Sequence, residues 1–273
     1  MRTAIRAELA EAASVDSRVA LMPDDLRAVL GVRTGRVAGG LAIRMSTAPD
    51  VGYFNRTFAI GLESPVTEGQ LREVIAFQAA AGGAVACVQI PPFAEVPAAV
   101  EALEHVGFRR AERWAKLLRP TSEPEAAVVT DLVVARVSPE EADEFGRVQS
   151  AAMDLPRGMV PWCAAQVTAE GWTGYAAFDG DRMVAVACLF ATGDVAQLAG
   201  AATLPEARGR GAQSALLARR IADARDAGLR WIAAETDAAS ADGPSTSLRN
   251  LHRAGFELLY ERQNWVVDLP PVA

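Results

Sequence analysis

Two stretches of this chain, EALEHVGFRRAERW at 101–114 and LRNLHRAGFELLYERQNW at 248–265, follow the same plan. Each carries a short helical pattern to a Gly-Phe pair, Gly107-Phe108 or Gly255-Phe256, and then a strand bearing a tryptophan, Trp114 or Trp265. A glycine that stops a helix before a strand is common on its own. The order upstream is what gives the pair weight. In the first half TEGQLREVIAFQAAA places Leu71, Val74, Ile75 and Gln78 at helical spacing, with Thr67 set to cap the first turn. Gly82-Gly83 stops that helix, the strand AVACVQI follows, and a short helix runs from Val96 to His105. In the second half a strand from Val195 to Leu204 leads to a long helix ending near Ala227, a stop at Gly228, and the strand LRWIAAE. A period of about 148 residues is too long for a solenoid and suits two copies of one α/β domain.

The length of 273 residues accommodates two domains of the usual size, about 100–150 residues each. At 51% hydrophobic and 22% charged residues the chain has enough apolar surface to fold. The expected linker is RPTSEPEAA, Arg119 to Ala127, so the domains are expected over residues 1–120 and 128–273. The first opens with the strand LAIRM and a second strand from Phe54 to Leu62. The second opens with DLVVARV, continues with helices from Pro139 to Ala152 and from Val160 to Ala169, and then forms a hairpin, GWTGYAAFD and RMVAVACLFAT, about Asp179-Gly180-Asp181.

A net charge of −7 opposes binding to nucleic acid, though a local basic patch still serves one phosphorylated cofactor. Cys87, Cys163 and Cys188 are odd in number and lie without close pairing, as reduced residues of a cytoplasmic protein would, with no metal site expected. Glu8 and Glu11 interrupt the segment where a secretory signal needs an apolar run, and no apolar stretch reaches the roughly 20 residues that span a bilayer. No membrane partner is expected.

Chemistry concentrates in AGAATLPEARGRGAQSALLARRIADARDAG, Ala199 to Gly228. A strand ends at Thr203-Leu204, glycines alternate with arginines, and an amphipathic helix begins whose buried face is marked by Leu217, Ile221 and Ala224. The start of a helix has unpaired N–H groups and a partial positive charge, which suits a phosphate. Gly209 and Gly211 let the backbone approach it, and Arg208 and Arg210 add charge. The Lys-Ser/Thr pair of a P-loop is missing, as is GxGxxG, which disfavours ATP and NAD.

This segment resembles the GNAT (Gcn5-related) N-acetyltransferases, whose signature after the fourth strand is Q/R-x-x-G-x-G/A. Arg208, Gly211 and Gln213 stand at its three fixed positions, and Gln213 departs from the small residue that is usual there. The resemblance extends from about Thr130 to Val267. It implies a mixed-sheet α/β fold, here in two tandem GNAT-like copies, and acetyl-CoA as co-substrate. Splayed central strands would admit the pantetheine arm against Thr203 and Leu204, and Arg208, Gly209, Arg210, Gly211, Ala212, Gln213 and Ser214 would hold the diphosphate, with Gln213 narrowing the channel. The N-terminal copy reads SPVTEGQLREVI at the corresponding place, with Glu68 and Glu73 where a phosphate would need cations, so it is expected to be degenerate.

Transfer to an amine needs an unprotonated nucleophile, stabilisation of an oxyanion, and a proton for the leaving thiolate. The family commonly supplies that proton from a tyrosine four residues before Gly-Phe, where this chain has Leu251. Relatives acting on protein N-termini have a serine eight residues before it, here Ser247, which is the expected donor, with His252 and Tyr260 as alternatives. Glu235 is a candidate base through a water. Trp162 and Trp172 lie where the family builds its acceptor site, and tryptophans there are more often core. The expected acceptor is a primary amine of a small molecule or peptide, and a homodimer is a candidate assembly. A non-catalytic acyl-CoA-binding module is the alternative.

Overall fold

The computed structural model describes residues 1–49, 51–80, 82–125, 127–239 and 243–269. Ala126, within the expected linker, lies outside them. The chain is a mixed α/β fold with helices α1 (Arg2–Ala20), α2 (Asp24–Leu30), α3 (Glu68–Ala80), α4 (Pro97–Val106), α5 (Ala142–Ala152), α6 (Val160–Ala165), α7 (Ala212–Asp226) and α8 (Thr246–Arg253). Its strands are β1 (Val32–Val37), β2 (Gly40–Met45), β3 (Arg56–Phe58), β4 (Val85–Ile90), β5 (Arg109–Pro120), β6 (Val133–Arg136), β7 (Trp172–Asp179), β8 (Arg182–Thr192), β9 (Val195–Thr203), β10 (Trp231–Asp237) and β11 (Glu257–Asp268).

Packing divides the chain into two compact units. The first holds Met1–Val19, Asp24–Lys116 and Leu259–Ala273; the second holds Ala20–Pro23 and Leu117–Leu258. This differs from a cut at the 119–127 linker in two ways. Strand β5 runs through Arg119 to Pro120, and residues 259–269, far along the chain from the rest of that unit, pack with the first unit.

In the first unit the strands lie in the order β1-β2-β3-β4-β11-β5. The pairs β1/β2 and β2/β3 are antiparallel, β3/β4 is parallel, and β11 runs antiparallel beside β4. Alternate residues of a strand face opposite sides. Val88, Ile90 and Trp265 therefore meet Leu71 and Val74 of α3 and Ala99 and Leu103 of α4 in an apolar core. The intervening residues are polar. Gln89 bonds both Arg56 and Asn264, and Arg56, Lys116 and Arg262 all pair with Glu11 of α1. Glu8 accepts from Arg262 and from the Tyr260 hydroxyl at 2.6 Å. The two glutamates that interrupt a signal-like segment are thus the anchors of the 19-residue helix α1, which no apolar periodicity announces.

Local chemistry explains the element ends. Thr67 and Gln70 cap α3 reciprocally: Thr67 N–H donates to Gln70 Oε1 at 2.9 Å, and Gln70 N–H donates to Thr67 Oγ1 at 3.4 Å. Strand β3 is shorter than the expected 54–62. Tyr53 and Phe54 form a 3-10 turn before it, and Ala59 and Gly61 turn to φ 56 and 70 after it. Gly107 and Gly255 both take positive φ, 95 and 80, and the N–H of Phe108 and of Phe256 bonds back to Leu103 and Leu251 respectively. The two Gly-Phe stops are built alike.

The second unit orders its strands β6-β7-β8-β9-β10, with the end of β5 beyond β10. The pairs β6/β7, β7/β8 and β8/β9 are antiparallel, and β9/β10 is parallel. Helix α5 packs on β8 and β9, and α7 packs on β7, β8 and β9. Leu217, Ile221 and Ala224 form the buried face of α7 as the periodicity predicts. Helix α6 ends at Ala165, four residues before the expected Ala169. All three cysteines are free thiols. Among the described residues no helix is long and apolar enough to cross a membrane, and no cluster of His, Cys, Asp and Glu is arranged to hold a metal ion.

Candidate functional site

The parallel register of β9 and β10 covers Val195–Gln197 against Trp231–Ala233 and then stops. One cause lies in β9. Gly200 turns to φ 58, and the register of β9 with β8 shifts between Val186 and Cys188. This is a bulge, which bends a strand away from its neighbour. Gln149 of α5 holds it by donating to the Gly200 carbonyl at 2.7 Å. A Cβ at position 200 would come within 2.5 Å of that same amide nitrogen, so the bulge and its anchor both require glycine.

The diverging ends, Leu198 to Thr203 and Ala234 to Thr236, line a cleft of about 750 Å³ wholly within the second unit. The start of α7, the first turns of α8 and Ala152-Met153 complete its wall. At its α7 end Gly211 caps the helix at φ 84, with no side chain capping it. The first bond of the helix is Ala215 N–H to Gly211 O at 3.0 Å, so the N–H groups of Ala212, Gln213 and Ser214 have no carbonyl of their own helix to meet. Gly209 also turns to positive φ, 80. A Cβ on Gly211 would lie 2.8 Å from the Val129 carbonyl.

Of the residues expected to bind a coenzyme, the cleft gathers Thr203, Arg208, Gly209, Gly211, Ala212, Gln213 and Ser214. Leu204 and Arg210 are not part of its lining. Leu204 N–H is spent on Val184 O at 3.0 Å. Arg210 turns to Asp131 and Asp179, whose hydrogen bonds raise its pKa above the usual arginine value. Arg208 is exposed at the cleft and reaches Thr203 O at 3.4 Å. Gln213 lies against the end of β9, its Nε2 donating to Thr203 Oγ1 at 3.2 Å. The charged lining residues are Arg208, Arg220, Arg253 and Glu235, a local basic excess in an acidic chain.

Among the candidate proton donors, Ser247 lines the cleft and is exposed. The helix cap is instead Ser245, whose Oγ accepts from Leu248 N–H at 3.1 Å, so Ser247 is spared that role. Leu251 and Glu235 also line the cleft. His252 bonds the Phe256 carbonyl through Nδ1 at 3.0 Å, and Tyr260 belongs to the first unit, where burial first and then Glu8 raise its pKa. Trp162 is fully buried, and Trp172 packs on Phe190 with ring centroids 4.9 Å apart; both are core residues. The sequence reading missed Gln149, Arg220 and Asn250. A glycine inside a strand pattern, Gly200, was the one local signal of the bulge.

A coenzyme A diphosphate fits this donor set: main-chain N–H groups at the start of a helix, glycines that let the backbone approach, and Arg208 beside them. The parted strands offer unpaired edges of the kind that bind an amide-bearing arm.

Residues 137–256 match the sequence model of the acetyltransferase (GNAT) family. No curated protein matches the chain. The fold is similar to that of a GCN5-related N-acetyltransferase from Kribbella flavida, with a TM-score of 0.58 at 15% identity over 95% of this chain and 94% of that one. A GCN5-related N-acetyltransferase from Sphaerobacter thermophilus gives 0.56 at 17% identity over 69% of this chain, which spans 61% of that protein. A tandem GNAT protein from the clavulanic acid biosynthesis pathway gives 0.50 at 14% identity, over 72% of this chain and 68% of that one. At such identities the likeness is one of fold alone. The span 137–256 that matches this family model also builds most of the cleft.

Proposed function

We propose that this chain is an acetyl-CoA-dependent N-acetyltransferase acting on a primary amine of a small molecule or peptide at the cleft of the second unit. One observation carries the reading: the unpaired N–H groups at the start of α7 and the parted edges of β9 and β10 open into the same cavity. When bound, the coenzyme supplies an acyl group activated as a thioester. The N–H groups of Gly209 and of Gly211 to Ser214, with Arg208, would hold its diphosphate, and the backbone at Thr203 would orient its arm. Ser247 gives a proton to the departing thiolate, and Glu235 accepts one from the amine through a water.

Leu251 favours a second reading, a non-catalytic acyl-CoA-binding module, because it stands at the usual donor position and has no proton to give. Two measurements separate the readings. Calorimetry with acetyl-CoA is expected to give a defined binding heat, and thiol release is expected with at least one member of a broad amine panel. Binding without release across the panel favours the module, and no binding heat at millimolar acetyl-CoA removes both.

The two units are read as copies of one GNAT-like plan, a reading supported by their shared antiparallel, antiparallel, parallel pairing and by the matched Gly-Phe stops. The tandem GNAT protein among the similar folds is consistent with it. The first copy has no coenzyme role here, since Thr67 and Gln70 already close the start of α3 and Glu68 adds negative charge to it. The reading needs no metal, nucleic acid or membrane. It keeps the cytoplasm as location and a homodimer as candidate assembly, which sedimentation velocity checks.

A further inference from the structure

Arg220 lies on α7 eight residues past Ala212, about 12 Å along the axis at 1.5 Å per residue. It is 1% exposed, yet it lines the cleft. Nε donates to its own helix at Leu216 O and Nη1 to Cys188 O of β8, both at 3.1 Å. Cys188 is the register partner of Ala199, and its sulfur would lie 3.7 Å from a Cβ on Gly200, so the guanidinium sits beside the bulge, well inside the cleft from the diphosphate end.

What this arginine bonds is neutral. Among the described residues no ion pair joins a carboxylate to it. Asp223, one turn further along the same helix, is engaged by Arg136 and Arg219. Burial pushes the Arg220 pKa down to about 10, which leaves it charged at neutral pH. A cation taken out of water is costly unless negative charge meets it, and two carbonyl dipoles answer that cost only in part. In the first unit three buried cations, Arg56, Lys116 and Arg262, share the carboxylate of Glu11. Arg119, also 1% exposed, is met by four backbone carbonyls, those of Ala254, Pro120, Glu123 and Pro124, where Arg220 has two.

We propose that Arg220 makes the inner end of the cleft selective for a reactant that carries a carboxylate. The inference rests on the acyl-CoA reading above. The carboxylate belongs either to the acyl chain of the donor or to the acceptor amine, and in both cases it is a spectator. The C–N bond forms as the C–S bond breaks, and the proton lost by the amine is balanced by the one gained by the thiolate.

Calorimetry on the full chain distinguishes the two sources. In the donor arm succinyl-CoA is compared with butyryl-CoA. In the acceptor arm the CoA-saturated protein is titrated with glycine, β-alanine and glutamate against their amides. One arm is expected to favour the carboxylate by about tenfold or more, the size of a charge-assisted bond in a dry site. Arg220→Met is expected to reduce that preference below about twofold while its affinity for free CoA stays within about twofold of wild type. Arg220→Lys keeps the charge and part of the preference, and it serves if the methionine variant melts early. Wild-type protein that binds CoA but shows no preference in either arm overturns the proposal, as does an Arg220→Met variant that weakens carboxylate and amide partners equally. Failure of wild type to bind any CoA overturns the acyl-CoA reading itself, and this inference with it.

Discussion

Arg208 and Arg210 are two positions apart in one loop and have opposite surroundings. Arg208 stands at the cleft, whereas Arg210 is held by Asp131 and Asp179. Arg208→Ala is therefore expected to weaken acetyl-CoA about tenfold, the value of one charge-assisted bond, and Arg210→Ala by less than about twofold, both read by calorimetry. Equal losses would mean that Arg210 leaves its carboxylates for the coenzyme. Position 211 tolerates a side chain less well than position 209. Both have positive φ, but only at Gly211 does an added Cβ meet backbone, 2.8 Å from Val129 O. Gly211→Ala should lower both the melting temperature and coenzyme affinity more than Gly209→Ala does. In the first unit Glu11 offers a pH test. Burial alone would raise its pKa, but the charges of Arg262, Lys116 and Arg56 outweigh burial and hold it well below its ordinary 4.5. A lowered carboxylate pKa contributes stability that is present above the unfolded value and is lost as pH falls below it. Glu11→Gln should cost about 3–5 kcal/mol at pH 7, because it strands buried cations. Urea titrations should show that gap narrowing below about pH 4.5. A gap independent of pH would place the cost in packing instead.

Helix α8 shows how an element assigns roles to like residues. Ser245 and Ser247 both lie near its start, and the cap geometry gives Ser245 the bond to Leu248 N–H. Ser245→Ala should lower stability by about 1 kcal/mol. Ser247→Ala should leave stability nearly unchanged and lower kcat by about tenfold or more if it supplies the proton. A Ser247→Ala enzyme with wild-type kcat would remove that role. The helix itself was legible from its pattern and from Gly255, but two serines two positions apart could not be ranked until the turn fixed which one caps. Strand β9 behaves similarly. Its course to Thr203 could be read from apolar residues, whereas the parting of β9 from β10 depends on Gly200 and on Gln149, which lies 51 positions earlier. Helix α1 was missed for a related reason: its buried face carries Glu8 and Glu11, and an apolar periodicity cannot register a face whose partners are cations on distant strands.

The units are not contiguous in sequence. Residues 259–269 complete the first, supplying Trp265 to its core and Arg262 to its ion cluster, and Leu117–Leu258 form most of the second. A chain ending at Leu258 is therefore expected to lose amide-exchange protection in β4, which pairs with β11 from Val85 to Ile90. Unchanged protection there would show that the first unit does not need its last strand. The sequence by itself determined the order of elements, the glycine stops and the helix start that suits a phosphate, because each depends on a few adjacent residues and on backbone geometry. Only the tertiary structure decided which strand lies beside β4, which arginine faces the cleft, and where buried charges find partners. Those outcomes are contacts between residues far apart in the chain, selected by the burial and pairing of whole faces, and no local pattern encodes them.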